Sequence, residues 1–390
     1  SPPTPEQQGP HHVHGQDANA VEDHRQPPGP PRPPAQGGWA RGTLPRPRRV
    51  TQDYGLNFPL GLGESYVDGW WDVEALDETI SRVLTLKLRQ RRPRGLSLRL
   101  LGMSLLSRVL NLQEGRRARH NVLSHYERGL DLFQAMLDER MVYSCGYWRN
   151  ADTLDEAQEH KLDLVCRKLG LGKGDRLLDI GCGWGSLARY AAERYGARVT
   201  GITLSPEQAQ VARDACSDLP VDIGVQDYRE VEGRFDAVVS IGMFEHVGSK
   251  NYGAYMEAVD RCLAPVGVSL LHTIAGNRST HPIDPWIHRH VFPGANLPTL
   301  AEISEAAGKR FVVEDVQNLG PDYDRTLMAW HRNFQQAWPR IRDPYDERFR
   351  RLWRYYLLSC AGAFRARELQ VFQVVLTRRG AARAPRARAG

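Results

Sequence analysis

Nowhere in the chain does an apolar run approach the roughly 18 residues that a membrane-spanning helix needs. The first residues also lack the charged-then-apolar order of a secretory leader. These two absences argue against a helical integral membrane protein and leave a cytoplasmic one as the expectation. Cysteine is sparse as well: Cys145, Cys166, Cys182, Cys216, Cys262 and Cys360 form no CxxC pair and no cysteine–histidine set at zinc spacing. Neither a disulfide framework nor a metal site is therefore expected. Acid is what one stretch lacks, for between Arg82 and Arg119 eleven Lys or Arg face the single acid Glu114, in a chain whose net charge is only +6. Everything outside that stretch is net acidic. Its apolar residues Leu98, Leu101, Leu105, Val109 and Leu112 recur at helical spacing. That stripe reads as a helix lying on an anionic membrane surface, with a plain solvated helix face next in order. A helix that reads nucleic acid seldom needs such a stripe, so no nucleic-acid partner is expected.

What the chain does have is enough apolar residue, 41% of 390, for a large core. Residues 1–48 are rich in Pro, Gly, Gln and His without apolar periodicity and read as a disordered tail. Within them "HHVH" (His11, His12, His14) reads as solvated low-complexity sequence rather than a metal ligand set. Residues 49–112 read as a small helical N-terminal domain whose Trp70 and Trp71 belong to a core, with membrane docking as its expected task. From 113 to 380, helices and then alternating strands and helices imply an α/β catalytic domain. Residues 381–390 read as a basic disordered tail.

The strongest local pattern is "DRLLDIGCGWGSLARYAAERYGARVTGITLSPEQ". An apolar strand, Leu177 to Ile180, carries Asp179 near its end, Gly181, Gly183 and Gly185 form a loop, and "SLARYAAERY" follows as a helix. Such a βα turn brings backbone close to a ligand and points amides at an anionic group. The GxGxG spacing disfavours a dinucleotide. A second strand, "ARVTGIT", ends on Thr203 and Leu204, with Gln208 just beyond, where a ribose-gripping acid would usually stand. A third ends in "VQDYRE", whose Gln226 and Asp227 suit an adenine clamp. Farther on, "FDAVVSIGMF" and "VSLLHTI" are apolar strands that deliver Glu245 and His272, each a candidate proton acceptor at a strand end.

Together these motifs resemble the class I S-adenosylmethionine-dependent methyltransferases. The strings "YSCGYW", "LLDIGCGWG", "MFEHVG", "LLHTIAG", "DYDRTLMAW" and "SCAGAFRAR" narrow the resemblance to bacterial cyclopropane-fatty-acyl-phospholipid synthases, over about Leu60 to Thr377. The related mycolic acid cyclopropane synthases resemble it less. The implied fold is α/β: a Rossmann-like methyltransferase sheet with a helical cap and a small, mostly helical N-terminal domain. The implied reaction adds a methylene from S-adenosylmethionine across a cis double bond of an unsaturated acyl chain in membrane phospholipid. The protein would work at the inner face of the membrane as a peripheral enzyme, and the family's N-terminal domain would serve docking or homodimerisation. Tyr143 and Ser144 of "YSCGYW" join Asp179, Gly181, Gly183, Thr203, Leu204, Gln208, Gln226 and Asp227 as the implied cofactor-binding set.

An alkene has no lone pair, so its π electrons must meet a sulfonium held in line, and a carbocation results. The site must be dry, lined by aromatic faces and supplied with a base. Tyr143, Tyr147, Trp148 and Phe244 are the candidate aromatic faces. The resemblance implies bicarbonate as the base, held by Cys145, Glu245, His272, the backbone of Ile274, and Tyr323. His246 then has no task beyond being a structural neighbour. Cys360 and Cys182 read as packing residues, since no activating His is near in sequence. Leu130 stands in "HYERGLD" where the family has Asn, and the segment before about Leu56 is Pro-rich where the family has more domain. A methyl-branching or mycolic-type acyl transfer and a non-catalytic lipid or cofactor binder stand as the alternative functions.

Overall fold

The computed structural model describes residues 58–86, 129–278 and 283–381. The expected tail to residue 48, the stripe from Leu98 to Leu112, the segment from His125 to Arg128 and the tail beyond 381 lie outside the described residues. In chain order the elements run α1 (Phe58–Val67), α2 (Leu76–Thr85), α3 (Leu130–Met136), α4 (Leu154–Leu169), β1 (Arg176–Ile180), α5 (Ser186–Tyr195), β2 (Arg198–Thr203), α6 (Pro206–Ala215), β3 (Val221–Val225) and β4 (Phe235–Ile241). There follow α7 (Tyr252–Cys262), β5 (Leu263–Gly276), α8 (Pro285–His290), α9 (Leu300–Ala307), β6 (Phe311–Asn318), α10 (Gly320–Ile341), α11 (Glu347–Arg365) and β7 (Leu369–Arg378).

The seven strands form one sheet in the order β3-β2-β1-β4-β5-β7-β6. β3, β2, β1, β4 and β5 run parallel, and β7 enters antiparallel between β5 and β6. The expected α/β sheet is the observed one. Neighbouring residues of each central strand serve opposite faces, as the pleat requires. Leu177, Val239 and Leu270 join the core under α4, α5 and α6, while Leu178, Val238 and Leu271 join the core under α7.

Local signals set the helix ends. Thr153 and Glu156 form a capping box at the start of α4, and Gly170 closes it in the left-handed conformation. Ser205 caps α6 and Pro206 occupies its first turn. The "SLARYAAERY" helix falls where its sequence places it.

A third core lies beyond the end of the sheet. It gathers α1, α2, α3, α10 and α11 around the fully buried Trp71, Trp286, Trp330 and Trp353. Trp70 and Trp71 are core residues, as expected. α2 crosses α11 at Gly362, where an added Cβ would sit 2.5 Å from the Asp77 carbonyl. Arg365 of α11 bridges Asp77 at 2.6 Å and Asp324 of α10 at 3.0 Å, tying the three helices together. Helices α1 and α2 thus share a core with the cap that covers the C-terminal edge of the sheet.

Candidate functional site

The parallel strands all end on one side of the sheet, and the loops that leave β1, β2, β3 and β4 line one cavity there. Gly181 and Gly185 have φ of +84° and +85°, and Gly183 of +56°. An added Cβ at Gly181 would come within 2.8 Å of Met243, so only glycine lets the turn after β1 close against the loop after β4. Both Gly181 N and Cys182 N donate to the Ile202 carbonyl, at 2.9 and 3.0 Å, which fixes the turn to β2.

Side chains from three strand ends complete this half of the cavity. Thr203 donates through Oγ1 to Gln208 Oε1 at 2.9 Å. Gln226 donates through Nε2 to the Glu230 carbonyl at 2.9 Å. Asp227 caps a short 3₁₀ turn and receives Arg229 at 2.6 Å. The ten expected cofactor residues, Tyr143, Ser144, Asp179, Gly181, Gly183, Thr203, Leu204, Gln208, Gln226 and Asp227, all line this cavity. Lys161, Trp184, Tyr228, Met243 and His246, none of them expected among the cofactor residues, line it too. His246, expected to be a mere neighbour, presents a half-buried ring there, and burial pushes its pKa down to about 4.

The loop after α3 forms the wall toward the cap. Asp138 accepts Val142 N at 2.8 Å and Arg140 N at 3.1 Å, Gln158 donates to the Ser144 carbonyl at 2.8 Å, and Gly146 N donates to Thr326 of α10 at 3.1 Å. Cys145 is thereby fully buried. Its thiol donates to the carbonyls of Gly146 and Leu319, at 3.2 and 3.5 Å, and burial holds its pKa well above the ordinary thiol value.

Glu245 sits in the 3₁₀ turn after β4, 5% exposed. Its Oε1 accepts the Ile274 amide of β5 at 2.7 Å, whereas its Oε2 has no partner among the described residues. Burial raises its pKa to about 7 against the opposing pull of that amide, its own backbone amide and the Thr273 hydroxyl. The Ile274 amide therefore points at Glu245, where the sequence reading had it facing an anion. His272 on β5 is 2% exposed, with Nδ1 3.3 Å from Gln373 Nε2, and burial pushes its pKa well below the ordinary range. Tyr323 of α10 is pushed up by burial, and the charges of Tyr143, Cys145 and Glu245 push the same way.

The aromatic candidates separate. Phe244 is fully buried, stacked on Tyr252 with centroids 4.4 Å apart, and belongs to the core under α7. Trp148 already carries the Arg325 guanidinium 4.5 Å from its ring centroid and donates its indole N–H to Thr326. Tyr147 lies at the edge of the cap core. Tyr143 lines the cavity, packs against Phe133 and Trp330 at 5.2 and 5.1 Å, and shares a 2.8 Å hydrogen bond with the Tyr356 hydroxyl. Tyr356 escaped the sequence reading because nothing in "YYLLSCAGAF" sets its second Tyr apart from a packing residue. Cys360 sits in the same helix, partly buried against the cap core, in keeping with a packing role.

Residues 113–374 match the family model described as mycolic acid cyclopropane synthetase. The chain is 50% identical over 321 residues to the cyclopropane-fatty-acyl-phospholipid synthase of Escherichia coli (strain K12), covering 82% of this chain and 83% of that one. Among solved structures it is similar to the cyclopropane synthase MmaA2 from Mycobacterium tuberculosis, at 33% identity and a TM-score of 0.63 over 66% of this chain and 97% of the other. It is also similar to the mycolic acid cyclopropane synthase CmaA1 in complex with SAH and CTAB, at 35% identity and a TM-score of 0.60 over the same shares.

Proposed function

The chain belongs to the mycolic acid cyclopropane synthetase family of methyltransferase enzymes, and on that premise we propose that it adds a methylene from S-adenosylmethionine to the cis double bond of an unsaturated acyl chain in membrane phospholipid, with bicarbonate as the general base. One observation carries the reading of the base. Glu245 keeps a buried carboxylate oxygen, Oε2, without a hydrogen-bond partner among the described residues, and such an atom costs free energy unless a ligand brings a hydrogen to it. A bicarbonate hydroxyl is such a donor. Tyr323 fits an anion as well: burial raises its pKa, so its hydroxyl stays protonated and can donate, whereas the Cys145 thiol is engaged by the Gly146 and Leu319 carbonyls.

S-adenosylmethionine supplies the electrophilic methyl on a sulfonium, and bicarbonate supplies a proton acceptor that a carbocation does not consume as part of the protein. The chain's own residues do the rest. The glycine turn and Thr203 with Gln208 shape the cofactor's seat at the ends of β1 and β2. Ile274 N fixes one oxygen of Glu245, which leaves the other to orient the base. Gln373 holds the His272 ring, which burial keeps neutral. Cys145, Glu245 and His272 are each 5% exposed or less, so the place where a proton leaves is dry. Tyr143 presents its ring where charge develops.

Residues 49–112 are assigned to docking and 113–380 to catalysis. The basic, leucine-bearing sequence between Arg82 and Arg119 supports a peripheral seat on anionic lipid at the cytoplasmic face. No helix among the described residues is long and apolar enough to cross a membrane. Incubation with labelled S-adenosylmethionine and unsaturated phospholipid vesicles should yield cyclopropane chains by gas chromatography. Unmodified lipid from protein that is folded and binds the cofactor would overturn the reaction. Depleting bicarbonate should slow turnover, and indifference to it would overturn the base.

A further inference from the structure

The string "SCAGAFRAR" has no part in the chemistry described so far, yet it ends on unusual backbone. Arg367, just past α11, has φ of +60°, a left-handed conformation that glycine usually takes after a helix. Glycine there would relieve the strain but lose the guanidinium, which donates to Gln370 Oε1 at 2.8 Å.

Gln370, near the start of β7 and 5% exposed, is the centre of a closed network. Its Oε1 also accepts Asn318 Nδ2 at 2.9 Å, and its Nε2 donates to the Arg367 carbonyl at 3.0 Å and to Asn277 Oδ1 at 3.3 Å. Asn277 Nδ2 donates in turn to the Arg367 carbonyl. The network joins the segment after β5, the turn between α11 and β7, and the end of β6. Asn318 then carries it one step farther, for its Oδ1 accepts Gly320 N at 2.8 Å. That bond satisfies an orphan donor in the first turn of α10, where the N-cap residue Leu319 has no side chain able to do so. A Cβ at Gly320 would come within 2.9 Å of Gln370 Oε1 and 3.0 Å of Asn318 Oδ1, so the turn is pressed onto the network.

Two groups of the base half hang on this turn. Tyr323 stands in the first turn of α10, and the Leu319 carbonyl accepts the Cys145 thiol at 3.5 Å. We propose that Gln370 is a positioning residue for the base: through Asn318 it sets the first turn of α10, and so the place of the Tyr323 hydroxyl and the Leu319 carbonyl relative to Glu245. The inference rests on the bicarbonate reading above and extends it to a residue that touches no reacting group. Hydrogen bonds to a small anion are directional, so a shift of the turn by part of an ångström weakens them. The rival role is plain stitching of three element ends, with no bearing on the anion.

Turnover measured against bicarbonate concentration, with S-adenosylhomocysteine affinity by calorimetry, separates the two roles. Gln370→Leu removes every bond at the network's centre. It should raise the half-saturating bicarbonate concentration about tenfold, the scale of one charge-assisted hydrogen bond, with S-adenosylhomocysteine affinity within about twofold of wild type. Asn318→Ala cuts the link to Gly320 from an exposed position and should raise that concentration about threefold. Gln370→Glu keeps the acceptors for Arg367 and Asn318 and should return it to within about twofold of wild type. Variants that lose rate at an unchanged bicarbonate requirement show mere stitching and overturn the proposal. Asn318→Ala decides alone should Gln370→Leu fail to fold, and an unchanged requirement there overturns it too. Wild-type turnover that ignores bicarbonate overturns the base reading, and this inference with it.

Discussion

The two halves of the proposed site, the cofactor cavity and the base residues, are built from different material. On the β1–β3 side the ligand-facing groups are glycine backbone and side chains already tied to one another, such as Thr203 to Gln208 and Asp227 to Arg229. In the proposed base half they are buried ionisable side chains from distant elements, Cys145, Glu245, His272 and Tyr323, none of which lines that cavity. Burial shifts the pKa of all four. The first half is a preformed seat held by backbone and side-chain hydrogen bonds. The second stores the cost of dehydrating polar groups, which the proposed anion would recover. A cofactor can bind the first half while the second is disabled, and the halves should come apart under mutation.

The largest separation should come from Glu245→Gln. Turnover should fall about 100-fold, the scale of lost general-base assistance, with cofactor affinity within about twofold of wild type. A parallel fall in affinity would erase the distinction between the halves. The same variant reports on pH. Glu245's folded pKa of about 7 stands above its ordinary value, so protonation contributes stability that is full below the unfolded pKa and lost as pH rises through 7. Gln is neutral throughout, so denaturant melts should show the variant gaining on wild type by on the order of 2 kcal/mol between pH 5 and pH 8.

Gly181→Ala attacks the other half. A Cβ at φ +84°, 2.8 Å from Met243, should cost about 2 kcal/mol of stability and weaken cofactor binding. Glu245's acid limb in a pH–rate profile should persist in whatever activity remains. Thr203→Val should have the smallest effect, about 1 kcal/mol from the lost bond to Gln208, read as a modest rise in the cofactor Kd. An effect of Thr203→Val on turnover alone would contradict its place in the seat.

The seat was legible because it is local. A strand, three glycines and a helix start follow one another within fifteen residues, and each constrains the next through backbone geometry. In the base half, strand ends marked Glu245 and His272, but Cys145, Ile274 and Tyr323 were named only through motif resemblance, since Cys145 and Tyr323 are separated by most of the catalytic sequence. Two features escaped. The aim of the Ile274 amide at Glu245 depends on how the loop after β4 folds back over β5. Lys161 went unread although a signal existed: with Gln158 it places two polar residues three apart on a helix face that otherwise carries Leu154, Ala157, Leu162 and Val165. Polar residues on a core stripe need partners, and both find them in the 141–148 loop.

By itself the sequence determined the order of strands and helices, the glycine turn and the kind of chemistry its motifs allow, because periodicity and backbone preference act over a few residues. Only the tertiary structure decided which of these groups lost their water. Phe244 and Tyr143 look alike in sequence, yet one is stacked in the core under α7 and the other faces the cavity. Dehydration depends on everything packed around a group, and it is what moved Glu245 and Lys161 away from the protonation behaviour of ordinary exposed charges.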